Sequence, residues 1–373
     1  MMKPASGLYI HIPFCHSKCA YCDFYSVPQH GMAAGFVDAL CNELDTRLAS
    51  WHCEISTVYI GGGTPSVLTD EMLSRIIGRL PRHEFEEFTI EVNPEDVTPA
   101  RGRAWREMGI DRVSMGVQSL DDNILRAIGR RHSAGEAIEA FSMLRESGFT
   151  NISLDLIYGL PGLSVEGWRE TLRRILDLQP EHLSAYSLSY EQGTRLNAMR
   201  LAGKIAETPA EEVERMYEIL TKAAREAGYN HYEISNFSLP GHEAVHNSRY
   251  WDMTPYLGIG PGAHGWDGAT RFYNIPSIKE YIAGDGLGSL RIEEENESER
   301  FNDMVFTALR TSAGLDLAKV SAAFGAERSD EILRTARRRH LSAGNVILTP
   351  GRLIIPESRW LISNDIISDF MEV

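Results

Sequence analysis

The chain has 373 residues, 43% hydrophobic and 24% charged, with a formal net charge of -15 from 52 acidic against 37 basic residues. That length exceeds what one core usually serves, so two domains or one large α/β unit are expected, and the composition excludes disorder. The acidic balance disfavours extended nucleic-acid binding, a local basic stretch such as "RRHLSAG" apart. With no signal-peptide run, no eighteen-residue apolar window and only five cysteines, a cytoplasmic protein with neither membrane span nor disulfide framework is expected.

Taken in chain order, β-prone runs at 7–12, 55–60, 87–92, 112–117, 152–157 and 183–188 alternate with amphipathic helical runs at 35–50, 69–80, 99–109, 133–148 and 164–178. Several of these helices close on Gly, as a C-cap does. The alternation predicts parallel pairing through right-handed βα units. Glu91, Gln118 and Asp155 lie at or near the C-terminal ends of different strands, as polar residues do when a barrel-type sheet builds one site over its top rim. Six repeats favour an open barrel over a closed one. A long helix is predicted at 208–229, then loops and short strands over the aromatic, glycine-rich 231–266, then helices from about 294 and a hairpin in "NVILTPGRLIIPESRWLI". The expected units are a partial barrel over 1–205, a flanking segment over 206–290 and a small α+β helix-plus-hairpin domain over 291–373.

The densest chemistry is in "YIHIPFCHSKCAYCDFYS", where Cys15, Cys19 and Cys22 are spaced C-x3-C-x2-C. A structural zinc site would need a fourth ligand from a second pair, which the chain lacks. Cys41, in a helical run, and Cys53, beside a strand, read as small buried hydrophobes. Three thiolates suit a cubane iron–sulfur cluster whose fourth iron stays open to a small molecule. In "YIGGGTPSVLTDEM", Gly61, Gly62 and Gly63 are expected to let backbone approach a ligand and to leave amides exposed. Neither the dinucleotide fingerprint nor the phosphate loop is matched. Glu91 and Asp155 can accept from ribose hydroxyls or an amino group, Gln118 can bridge, and Arg130 can grip a carboxylate. Asp155 interrupts an apolar strand, where burial without a partner would be costly.

C-x3-C-x2-C after a first strand with GGGTP after the second resembles the radical S-adenosylmethionine superfamily, whose usual scaffold is a (β/α)6 partial barrel of the TIM type. "YIHIPFC", "GVQS", "LDLIYGLPG", "YEISNF" and "HNSRYW" are similar to the branch that holds oxygen-independent coproporphyrinogen III oxidases and the HemW haem chaperones. The resemblance implies that Cys15, Cys19 and Cys22 hold a [4Fe-4S] cluster. It further implies that Tyr9, Tyr21, Gly62, Gly63, Thr64, Glu91, Gln118, Arg130 and Asp155 surround S-adenosylmethionine, whose cleavage in the family yields a 5'-deoxyadenosyl radical. The oxidases carry a fourth cysteine where this chain has Phe24, and an extension before the first strand where only eight residues precede Tyr9. Both departures favour a haem chaperone over an enzyme that decarboxylates coproporphyrinogen III. On that reading His246, in HNSRYW, is a candidate axial ligand of haem. The implied partners are haem, haem-acceptor proteins at a membrane and a second copy of the chain.

Overall fold

The computed structural model describes residues 4–28 and 31–372. Strands β1 (Ala5–Ile12), β2 (Glu54–Gly62), β3 (Glu87–Val92), β4 (Arg112–Gln118), β5 (Ile152–Tyr158) and β6 (His182–Ser187) lie side by side in chain order, every pairing parallel. Their apolar residues, among them Leu8, Ile10, Val58, Ile90, Val113 and Leu154, are fully buried. Such near-continuous apolar runs are what a sheet covered on both faces demands.

Helices α1 (Ala33–Ser50), α2 (Asp70–Ile77), α3 (Pro99–Glu107), α4 (Asp122–Ala127), α5 (Ala134–Glu146) and α6 (Val165–Asp177) make the crossovers. Their starts are set locally. The side chains of Thr69, Thr98, Asp121, Ser133 and Ser164 each accept from a first-turn amide, and Ser133 with Glu136 closes a reciprocal capping box. Fixed helix starts fix the lengths of the loops above the strand ends, where the site lies.

The six strands are the centre of a longer sheet. Beyond α7 (Arg195–Leu201) and α8 (Ala210–Glu226), β7 (Asn230–Glu233) and β8 (Asn236–Ser238) form a hairpin on β6. After α9 (Val245–Trp251), β9 (Tyr256–Ile259) pairs parallel with β1, and β10 (His264–Trp266), β11 (Arg271–Asn274) and, beyond α10 (Ile278–Ala283), β12 (Leu290–Glu293) follow antiparallel. The result is an open, twelve-stranded partial barrel. The short strands read over 231–266 therefore enlarge the main sheet. Gly258 makes this possible, because a Cβ there would lie 1.8 Å from the carbonyl oxygen of His264.

The C-terminal part packs α11 (Glu297–Leu309), α12 (Leu317–Phe324) and α13 (Ala326–Thr335) with an antiparallel sheet of β13 (Leu315–Asp316), β14 (Ile347–Thr349) and β15 (Arg352–Ile354). The expected hairpin is β14–β15, turning at Gly351 with φ +81°. Trp360 meets the ring of His231 edge-on at 4.3 Å, which ties this part to the barrel.

Candidate functional site

Strand β1 delivers the chain to the rim, where Phe14–Cys15 pairs with Val27–Pro28 and folds the cysteine loop back on itself. The loop is pinned from both sides, Ala20 N–H donating to Ile128 at 2.8 Å and Leu196 N–H to Ala20 at 2.7 Å. Cys15 is buried, Cys19 and Cys22 half-buried. All three line a cavity of about 440 Å3, together with Tyr21, Gly62, Gly63 and Thr64 from the neighbouring loops. Glu91, Gln118 and Asp155 close it from the strands and Arg130 from just beyond α4. Phe24 stands at its margin with 65% of its surface exposed.

The glycine run does a different job from the expected one. Gly62 N–H donates to Glu91 Oε2 at 3.0 Å, Gly63 N–H to Ile12 at 2.8 Å and Thr64 N–H to Phe14 at 2.7 Å, so these amides are spent inside the protein. The reason for glycine is space. A Cβ at Gly61 would lie 2.7 Å from the Tyr59 ring, at Gly62 2.5 Å from the His11 ring, and at Gly63 2.4 Å from the carbonyl oxygen of Phe14. Gly62 also has φ +110°, which other residues rarely adopt. The run lets β2 press against the base of the cysteine loop and holds that loop in place.

The strand-end groups are linked rather than independent. Glu91 accepts from Tyr59 Oη at 2.8 Å, and Asp155 from Ser114 Oγ at 3.0 Å. Burial pushes the Glu91 carboxyl up to about 7 and Asp155 up to about 6, against hydrogen bonds that pull the other way. Arg130 donates to Asn93 Oδ1 at 2.7 Å, to the Gly116 carbonyl at 2.6 Å and to Cys19 Sγ at 3.7 Å, while its buried Nε has no partner among the described residues. Gln118 has φ +67° at a register shift between β4 and β5. This backbone conformation is uncommon for a side chain of its size, and it marks a place where the fold accepts strain beside the cavity.

Asn93, Ser114 and Tyr186 also line the cavity and were not singled out from sequence. Asn93 stands one residue beyond β3, in the quoted "TIEVNPE", and its side chain joins Thr64 to Arg130. Two predicted residues lie outside the cavity lining. Tyr9 is turned toward His11, donating or accepting at 2.9 Å, with its ring near Tyr59. His246 is 1% exposed on α9, one ring nitrogen 3.0 Å from Thr57 Oγ1 and the other 2.8 Å from Tyr250 Oη. Burial takes it down to about 3, so the ring is neutral with both nitrogens committed. Glu87 accepts from Val245 and His246 N–H and thereby anchors the start of α9.

A second cavity, of about 410 Å3, opens where α9, α11 and the C-terminal sheet meet. Trp251, Met253, Met304, Lys319 and Arg352 are among its walls. Trp251 Nε1 is buried without a partner among the described residues, and Met253 has φ +61°.

Among the described residues no three metal-ligating side chains converge on one ion. A cubane does not ask for that, because each thiolate binds a separate iron corner. Three thiols on one short loop facing a single cavity, with a guanidinium beside one of them, fit such a cluster. Burial pushes the Cys22 thiol up to about 11, so loading metal there displaces a proton.

Residues 9–175 match the model of the radical SAM superfamily. The heme chaperone HemW of Bacillus subtilis is 36% identical over 328 residues, which are 85% of this chain and 86% of that one. The chain belongs to the radical SAM superfamily, in its HemN-like branch. HemW of Escherichia coli K12 is 37% identical over 70% of each chain. The solved coproporphyrinogen III oxidase HemN of Escherichia coli superposes with a TM-score of 0.84 at 25% identity, covering 99% of this chain and 90% of that one. Membership implies a [4Fe-4S] cluster and S-adenosylmethionine, and the cysteine cavity is where residues suited to both converge. No helix among the described residues is long and apolar enough to cross a membrane.

Proposed function

We propose that this protein binds haem and passes it to haem-requiring proteins, with the cluster and S-adenosylmethionine held separately above the parallel sheet. The observation that carries the reading is the presence of two cavities, one at the cysteines and one at the helix that bears HNSRYW. In the family, the cluster and S-adenosylmethionine supply one-electron chemistry when bound. The residues here would hold that pair in place: the thiols would take the irons, Arg130 would offer its one unpartnered Nε–H to a carboxylate, and Glu91 and Asp155 would offer acceptors for amino or hydroxyl groups.

The second cavity suits a flat, largely apolar ligand, its charged lining being mixed, Lys319 and Arg352 against Glu243, Asp252 and Asp316. Trp251 supplies an aromatic wall and a free N–H, and Met253 and Met304 supply adaptable thioethers. Lys319 lends a cation, while Asp316 is engaged with Arg352 at 3.2 Å and in capping α12. His246 serves this cavity from behind, by fixing α9, and is not free to ligate iron as the helix stands.

The likeness to HemN supports a second reading, oxidative decarboxylation of coproporphyrinogen III. Phe24, in the position of the oxidases' fourth cysteine, favours the first. One paired assay separates them. Anaerobically reconstituted protein is expected to bind about one equivalent of haem per chain, to bind it more weakly as Trp251→Phe, and to form no protoporphyrinogen. Conversion of coproporphyrinogen III at catalytic turnover would overturn the chaperone reading.

A further inference from the structure

Ser153 lies opposite His182 and Asp155 opposite Ser184 in the register of β5 and β6, so all four side chains share one face of the sheet. Barrel interiors are usually filled by branched apolar side chains. Here Ser153, His182 and Ser184 are buried polar groups that line neither cavity. They form a hydrogen-bonded chain between the two. Tyr232 Oη, in the wall of the second cavity, lies 2.7 Å from His182 Nε2, and His182 Nδ1 lies 2.7 Å from Ser153 Oγ. Ser153 Oγ lies 3.4 Å from Ser184 Oγ, and Ser184 bonds to Asp155 in the wall of the cysteine cavity.

Each hydroxyl and a neutral imidazole has one hydrogen to donate, so the chain has two self-consistent orientations. His182 stays neutral, because burial and the neighbouring Arg112 and His242 hold it well below its ordinary value. With Asp155 ionised, Ser184 donates to it, Ser153 to Ser184, His182 Nδ1–H to Ser153, and Tyr232 O–H to His182 Nε2. With Asp155 protonated, Ser114 goes on donating to a carboxyl oxygen at 3.0 Å, while the acid's own O–H turns to Ser184 and every donor beyond it reverses. Tyr186, which bonds to Ser184 from the cavity side, fits both orientations, since Ser184 has an acceptor site to spare in each. His182 then carries its hydrogen on Nε2 and donates to Tyr232 Oη, which also accepts from Ala244 N–H at 3.2 Å. The phenol hydrogen is left to face the second cavity.

We propose that this chain is a switch between the two cavities: a proton on Asp155 moves the hydrogen of His182 from Nδ1 to Nε2 and turns the Tyr232 hydroxyl into the second cavity, as a donor to a carboxylate or carbonyl of a ligand there. A ligand whose amino or hydroxyl groups keep Asp155 ionised, as S-adenosylmethionine would, withdraws that donor. By linkage, the two ligands then weaken one another by the same factor. The coupling needs only the two cavities and the bonds between them, and so stands whether or not the second ligand is haem.

The test is nitrogen NMR of the imidazoles in full-length, anaerobically reconstituted protein carrying isotopically labelled histidine, with His182→Gln assigning the signals. Asp155 gains its proton at about 6, under the opposed influence of Arg112 and Arg130 on one side and Glu91 on the other. The parent is expected to hold the His182 hydrogen on Nδ1 at about pH 8 and on Nε2 at about pH 5, and saturating S-adenosylmethionine at the lower pH is expected to return it to Nδ1. Glu91→Gln, which removes the other carboxyl that gains a proton in this range, is expected to switch as the parent does. Ser153→Ala leaves Asp155 and His242 in place and breaks the chain between them, and it is expected to show one tautomer throughout. A parent with one tautomer at both pH values, a parent whose tautomer S-adenosylmethionine leaves unmoved, a Glu91→Gln variant that no longer switches, or a Ser153→Ala variant that switches like the parent would each overturn the proposal. Failure to bind haem would count against the proposed function alone.

Discussion

The two cavities are similar in volume and opposite in construction. The one at the cysteines is assembled mainly from loops that directly follow strands of a parallel sheet, so most of its wall residues, Arg130 beyond α4 apart, are fixed by their distance from a strand. The one at Trp251 is assembled from α9, α11, the turn into β13, α12 and β15, elements brought together by packing, by the short β13–β15 pairing and by a few backbone bonds such as Ser312 N–H to Tyr232. The first is therefore held by backbone register. The second depends on how the C-terminal part rests on the barrel, and its occupancy is open to that packing in a way the first is not.

Two glycines sharpen the contrast most. A Cβ at Gly63 would lie 2.4 Å from the Phe14 carbonyl oxygen, and at Gly314, which lines the second cavity, 2.4 Å from the Leu353 carbonyl oxygen. Gly314 adds φ +66°. In both, the obstacle is backbone, which cannot swing aside. Gly63→Ala and Gly314→Ala are each expected to cost about 2–4 kcal/mol in chemical denaturation. Iron bound after reconstitution is expected to fall in Gly63→Ala alone. Equal loss of iron in Gly314→Ala would show that the two regions are not separable.

An effect of comparable size is expected at His246. Its ring fills the space beside Gly7, whose Cβ would come within 3.0 Å of it, and satisfies both Thr57 and Tyr250. His246→Ala leaves a void and two hydroxyls short of a partner, for a loss of about 2–4 kcal/mol. Haem binding lost in His246→Ala together with this destabilisation would report a displaced α9. Haem lost with stability unchanged would instead mark His246 as a direct ligand.

Legibility followed the same division. All six parallel strands were visible in their apolar runs, and Cys15, Cys19, Cys22, Glu91, Gln118 and Asp155 were visible because each sits in or just after a strand, while Arg130, beyond α4, was visible through its short motif. The exposed-amide reading of the glycine run failed because spacing does not reveal which neighbour presses on a loop, here Phe14 and His11. Asn93 went unweighed beside Glu91 because its role, joining Thr64 to Arg130, exists only once three loops meet. Tyr9 and His246 were carried by motif resemblance, and tertiary packing set both apart from the cavity at the cysteines. Strand β9 escaped as a partner of β1 because 243 residues of sequence lie between Ile12 and Tyr256, and a four-residue run carries little pattern.

The mildest prediction sets the two regions against each other by pH. Glu91 titrates at about 7 in the folded protein against an ordinary 4.5. Between those values the folded state holds a proton that the unfolded chain has released, so this group's contribution to stability falls as pH rises and its full cost is present above 7. His246 is held down at about 3 from an ordinary 6.5. Its folded state refuses a proton that the unfolded chain takes, so its contribution is full above 6.5 and is lost as pH falls toward 3. Acidification from pH 7 toward 5 thus relieves the cysteine cavity and strains the ground beneath α9. Glu91→Gln removes the first dependence and keeps an acceptor for Gly62 N–H. It is expected to be more stable than the parent by roughly 1–3 kcal/mol at pH 8, half-burial discounting the full shift, and no more stable at pH 4. An equal gain at both pH values would mean that the benefit comes from packing, and that the strand-end carboxylate carries no electrostatic cost.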